Sequence, residues 1–229
     1  MEKKQYDLCV EILKRLSGAG VLSEFILIGS WCVYFYRNYF PDISYMEHAS
    51  FRTRDLDFLI SRPERIERES NIPDLLKDLG FIRVFEGSKG YIKLQHPDLI
   101  LEFLVPERGR GTDKPYPLPK LGMNAVALRF LDLLSSDTIR IRVGDVDLTL
   151  PHPANFALHK LIVFQRRTRK DKAAKDRNAA IGVLKALIRK GDTAVLLKVF
   201  DSIPRKWKSK VLRGLAGTGE TEIEGILRI

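Results

Sequence analysis

Apolar residues Leu8, Cys9, Ile12, Leu13 and Leu16 recur at helical spacing between Tyr6 and Leu16, and Ser17-Gly18-Ala19-Gly20 supplies a stop. A continuous apolar run, Phe25-Ile26-Leu27-Ile28, then ends at Gly29-Ser30, and Trp31 to Tyr39 reads as an aromatic-rich helix. The order is strand, tight turn, helix. Phe40 to Ser50 reads as a loop, after which Arg54-Asp55-Leu56-Asp57-Phe58-Leu59-Ile60 alternates before turning wholly apolar, as a strand does. Pro73 to Leu79 predicts a short helix closed by Gly80. Phe81 to Phe85, Tyr91 to Gln95 and Leu99 to Val105 predict three more strands, the first two joined by the turn Gly87-Ser88-Lys89-Gly90. The pattern thus gives a sheet of about five strands, with helices before and between the early ones.

Residues 106–122 are rich in Pro, Gly and charge and read as irregular, Met123 to Leu134 fits either period, and Arg140 to Leu150 alternates on both arms of a hairpin around Gly144-Asp145. Past Pro151 the pattern becomes helical throughout: Pro153 to Gln165, Asp176 to Arg189, Thr193 to Phe200 and a segment around Trp207 to Leu215. The fold class is therefore α+β, a mixed sheet with flanking helices followed by a carboxy-terminal helical bundle. A chain of 229 residues accommodates two domains, placed at 1–150 and 151–229.

Charge strengthens that division. Residues 151–229 hold 18 Lys and Arg against 7 Asp and Glu, whereas residues 1–150 hold 21 against 22. The densest block, Arg166 to Arg177, includes Arg166, Arg167, Arg169 and Lys170; it is either a solvated helix face or a surface for nucleic acid or nucleotide phosphate. It lacks interleaved aromatics, so base stacking has no support there. With 45% apolar residues the composition excludes disorder, collagen and a disulfide scaffold. Cys9 and Cys32 read as reduced core residues. No apolar run is long enough for a membrane span, and Met1 to Tyr6 is not followed by a signal-peptide core, so a cytoplasmic location is expected.

Candidate chemistry lies in the early sheet. Residues two apart in a strand share a face, so Asp55 and Asp57 present two carboxylates to one side, and a divalent cation relieves their repulsion. Glu102 is a lone acid in the apolar strand Leu99 to Val105 and needs a partner, which a shared metal would provide. Singly, the Gly-Ser turn, the Asp-x-Asp and the lone Glu each suit an ordinary turn, cap or ion pair. The four histidines show no metal-ligand spacing, and His159 reads as a core or capping residue.

In this order, Ile28-Gly29-Ser30, then Asp55-Leu56-Asp57, then Glu102, the chain resembles the DNA polymerase beta-type nucleotidyltransferase superfamily. It is similar in particular to uncharacterised bacterial nucleotidyltransferase-like proteins and to the nucleotidyltransferase toxins of abortive-infection systems. Pro153 to Leu161 and the basic block fit the helices such relatives carry after the sheet. The resemblance implies transfer of a nucleoside monophosphate from an NTP, such as ATP, to an acceptor hydroxyl on RNA or tRNA, a protein or a small molecule, with pyrophosphate released. It implies Mg2+ or Mn2+ held by Asp55, Asp57 and Glu102, with Glu102 also helping to deprotonate the acceptor. It further implies the triphosphate on Gly29 and Ser30, with Lys160 as a neutralising cation.

Arg52 and Arg54 either grip phosphate or balance the two aspartates. Twenty-four residues separate Ser30 from Asp55, more than is usual in the superfamily, and Trp31 follows the Gly-Ser turn; an insertion at Asn38–Phe51 accounts for the distance. The alternative function is a noncatalytic nucleic-acid- or partner-binding protein that retains the fold.

Overall fold

The structure is a computed structural model, and it describes residues 3–40, 53–111 and 113–228. These form two compact units: residues 3–35 with 53–151, and residues 36–40 with 152–228.

The first unit runs α1 (Lys3–Gly18), β1 (Ile26–Ile28), α2 (Ser30–Phe35), β2 (Asp55–Leu59), α3 (Ile72–Leu76), β3 (Ile82–Glu86), β4 (Tyr91–Gln95), β5 (Ile100–Pro106), β6 (Tyr116–Leu118), β7 (Met123–Leu128), α4 (Asp132–Ser135), β8 (Thr138–Val143) and β9 (Val146–Pro151). Among the described residues its main sheet has seven strands, in the order β1-β2-β5-β4-β3, with β7 also on β5 and β6 outside β7. The sheet is mixed, because β2 and β7 run parallel to β5 while β1, β3, β4 and β6 pair antiparallel.

Strand β5 is hydrogen-bonded along both edges. Ile100–Leu104 pair with β2; on the other side Ile100 and Leu101 meet β4, and Phe103 to Pro106 meet β7. The two strands beyond the expected five lie where the sequence was least decisive. β6 falls inside the Pro- and Gly-rich stretch, and β7 resolves the ambiguous 123–134 segment as a parallel strand followed by the short α4.

Alternation assigns the two faces of the sheet. Leu56, Phe58, Leu101 and Phe103 point into the core, where Phe25 packs against Phe58 and Phe103 with ring centroids 5.7 and 5.1 Å apart. Each such fully buried aromatic ring contributes about 1.5–3 kcal/mol of transfer free energy. The apolar stripe of α1 (Cys9, Ile12, Leu13, Leu16) is buried as its periodicity requires. The opposite face of the sheet carries Asp55, Asp57 and Glu102.

The second unit is helical: α5 (Pro153–Val163), α6 (Lys170–Lys190), α7 (Thr193–Ser202), α8 (Arg205–Leu215) and α9 (Thr221–Leu227). α5 is buried from Pro153 to Ile162, so it is the central helix around which the others pack. Gly214 of α8 lets the two backbones approach closely, since a Cβ there would lie 2.8 Å from the Leu161 carbonyl oxygen. α6 starts six residues before the predicted helix, and α9 has no predicted counterpart.

His152 caps α5 by accepting the Ala154 amide at Nδ1 (3.2 Å), which leaves Nε2 to donate to the Tyr39 hydroxyl (3.2 Å). Tyr39 in turn donates to Asp192 (2.9 Å), which also receives Lys190 (2.6 Å). Cys9 and Cys32 are buried thiols, and burial pushes the Cys9 thiol well above its ordinary pKa. Arg52 and most of the expected insertion at 38–51 lie outside the described residues.

Candidate active site

The site is built on one turn and two strands. β1 is wholly buried, and the chain leaves it through Gly29 at φ 76, a left-handed conformation that glycine adopts without steric cost, before Ser30 opens α2. Gly29 is needed for a second reason. A Cβ at this position would stand 2.5 Å from Asp57 Oδ2, so the turn lies directly against the carboxylate.

Asp57 is level with Ile28 on β1 and with Glu102 on β5. Residues paired in register share a face, so Asp57 and Glu102 face one side, with Asp55 two residues along it, while Gly29 follows Ile28 and abuts Asp57. Asp55, Asp57 and Glu102 are all partly exposed. The Asp55 amide donates to the Thr53 hydroxyl (3.3 Å), and the β2–β5 ladder fixes the strand beyond it.

Glu102 has its partner within the protein. Lys93 Nζ lies 3.2 Å from Glu102 Oε2 and 2.6 Å from Glu86 Oε2, and the Lys93 and Glu102 side chains are only 25% and 20% exposed. Burial works against the Lys93 charge, but Glu86 and Glu102 outweigh it and raise the lysine pKa above its ordinary value. Lys93 is the site residue that sequence reasoning missed. Its signal was present as a charged residue in the half-buried strand Tyr91 to Gln95, but pairing it with Glu102 requires the β4–β5 register.

Arg54 is exposed and donates to the His96 carbonyl (2.9 Å). Lys160 belongs to the other unit, where it is buried and bonded to Asp176 Oδ1 (2.6 Å); Arg167 takes Oδ2 (3.0 Å). Its ammonium, expected on phosphate, is thus engaged within the helical bundle. Burial alone would raise the Asp176 pKa, yet the two cations hold it below its ordinary value. His159 is buried beside this pair, and burial, reinforced by Lys160, pushes its pKa down to about 3. Arg166, Arg169 and Lys170 are exposed, and Arg169 pairs with Asp171 (2.7 Å).

A family model described as nucleotidyltransferase matches residues 7–199. The chain belongs to this nucleotidyltransferase family. Its fold is similar to that of an antigenic nucleotidyltransferase-like protein from Paracoccidioides brasiliensis, at a TM-score of 0.51 and 10% identity, covering 98% of this chain and 92% of that one. Two structures of ANT(2'')-Ia also match at 10% identity. One is the antibiotic-resistance factor in solution (TM-score 0.44, covering 100% of this chain and 91% of that one); the other is its complex with adenylyl-2''-tobramycin (0.43, covering 99% and 96%). No curated protein matches the sequence.

Nucleotidyltransferases generally use an NTP and a divalent metal, and the two aspartates suit such an ion as hard oxygen donors beside a turn that no Cβ obstructs. Glu102 fits less well, because Lys93 already neutralises it. Among the described residues no three His, Cys, Asp or Glu side chains stand close enough together to hold a metal.

No helix among the described residues is long and apolar enough to cross a membrane.

Proposed function

We propose that this nucleotidyltransferase moves a nucleoside monophosphate from an NTP to an acceptor hydroxyl. The observation that carries the reading is the apposition of the Gly29 turn to Asp57, whose Oδ2 would stand 2.5 Å from a Cβ at position 29, so that a glycine turn at a helix start and a carboxylate share one spot. The acceptor oxygen bonds to the α-phosphorus, the bond from that phosphorus to the bridging oxygen of the β-phosphate breaks, and pyrophosphate leaves with the electron pair. The acceptor proton passes to Glu102. Gly29 admits the triphosphate, Ser30 donates its hydroxyl to a phosphate oxygen, and Asp55 and Asp57 hold a magnesium or manganese ion. When bound, that ion neutralises charge on the phosphate oxygens.

The acceptor is a hydroxyl on RNA or tRNA, a protein or a small molecule, and the exposed Arg166, Arg169 and Lys170 favour the polyanionic choice. Lys160 acts in this reading as a brace between α5 and α6.

The test is incorporation of each labelled NTP, with magnesium or manganese, into total RNA, into the protein alone and into small hydroxyl compounds. Incorporation into at least one acceptor is expected. Asp55→Ala and Asp57→Ala abolish it while leaving the melting temperature within a few degrees of wild type; full activity in both variants rejects the site.

One observation favours a second reading, a noncatalytic binding protein of the same fold: Lys93, not a gathered third acid, stands at Glu102. That protein would bind polyanions in a salt-sensitive, magnesium-independent manner.

A further inference from the structure

Resting on the transferase reading, we propose that Lys93 is a positioning residue whose ammonium takes the place of a second metal ion at Glu102. The site then holds one divalent ion, on Asp55 and Asp57. Glu102 is an acid in an otherwise apolar strand and is four-fifths buried, so its charge requires a counter-ion close by. Lys93 provides it at 3.2 Å and is itself anchored by Glu86 at 2.6 Å.

The lysine is not a surface side chain that happens to fall on an acid. Its backbone is level with Val84 of β3, and the neighbouring pair Leu94 and Leu101 sets its place beside β5. The start of β4 is tied down as well, because the Asn124 side chain of β7 accepts the Ile92 amide (2.8 Å) and donates to the Gly90 carbonyl (2.9 Å). A divalent ion on Glu102 would lie within a few Å of a fixed positive charge. Lysine and a second metal are therefore alternatives at this carboxylate, and the fold has committed to lysine.

Removing the ammonium leaves Glu86 and Glu102 repelling each other, which creates a demand for a cation where none existed. The full-length protein is titrated with Mn2+ alone, and free Mn2+ is read by electron paramagnetic resonance. Asp57→Asn weakens Mn2+ binding by about tenfold or more, while Glu102→Gln changes it by less than about twofold. Lys93→Met tightens binding by about fivefold or adds a second ion per chain, and Glu102→Gln in that background removes the gain. Lys93→Arg, which keeps the charge, behaves as wild type, and melting of each metal-free variant confirms folding.

The inference is overturned if Glu102→Gln weakens Mn2+ binding as much as Asp57→Asn does, or if Lys93→Met leaves it unchanged; the transferase reading survives either result. If Asp57→Asn itself has no effect, the transferase reading falls and takes this inference with it.

Discussion

At the scale of the residue, the site depends on what one position lacks. Gly29 combines φ 76 with a Cβ direction that ends 2.5 Å from a carboxylate oxygen, so Gly29→Ala meets two penalties at once. The left-handed backbone alone costs a side chain about 1–2 kcal/mol, and Asp57 must also move off its present rotamer. We expect Gly29→Ala to lower stability by about 1–3 kcal/mol in urea unfolding and to remove nucleotide transfer. Gly18→Ala, at the end of α1 with nothing within 4 Å of the added carbon, serves as the control: it leaves transfer unchanged and does not lower stability. The Gly-Ser turn and the Asp-x-Asp were legible in the sequence because each is local: a strand end followed by a turn, and two acids with the period of a strand. Glu102 was legible as an acid in need of a partner. The partner's identity was not, because Lys93 reaches it only through the pairing of two strands joined by a short connection whose register no single-strand pattern specifies.

At the scale of the element, α5 shows where periodicity loses information. A helix buried on all sides has no polar face to mark its orientation, so Lys160 read as a cation available to a ligand when it is a partner of Asp176, sixteen residues on and inside a block dominated by basic side chains. The same burial carries a pH signature. His159 is neutral in the folded protein, with its pKa pushed down to about 3, whereas the unfolded chain binds the proton near 6.5. Below pH 6.5 the unfolded state therefore takes up a proton that the folded state refuses, and stability falls as pH drops from 6.5 toward 3 by up to about 1.4 kcal/mol per pH unit. His159→Phe should flatten this limb in urea unfolding measured between pH 7 and 4.5. A limb equally steep in the variant would assign the acid sensitivity to other groups. α9 and the strands β6 and β7 escaped prediction for a related reason. β6 carries Pro117 inside a Pro- and Gly-rich stretch and β7 follows no single period, so each owes its conformation to tertiary neighbours more than to its own pattern.

At the scale of the whole molecule, a mixed sheet carries the acids and a basic helical unit follows it in sequence, which is the α+β order that the change of pattern at Pro151 foretold. The chain's surplus of positive charge belongs to that second part, so any polyanion it holds will leave as salt rises. One property of the sheet reaches further. Because β5 is laddered on both sides, with β4 and β7 dividing its far edge, its amide hydrogens are among the least able to reach solvent by local fraying. In deuterium labelling of the native protein, peptides covering Ile100–Leu104 should exchange last in the first unit, and those covering the outer strand Ile82–Glu86 should exchange far earlier. The Glu102 backbone, level with Asp57 in the β2–β5 ladder, should then keep its place through the partial openings that loosen the margins of the sheet, where Glu86 lies.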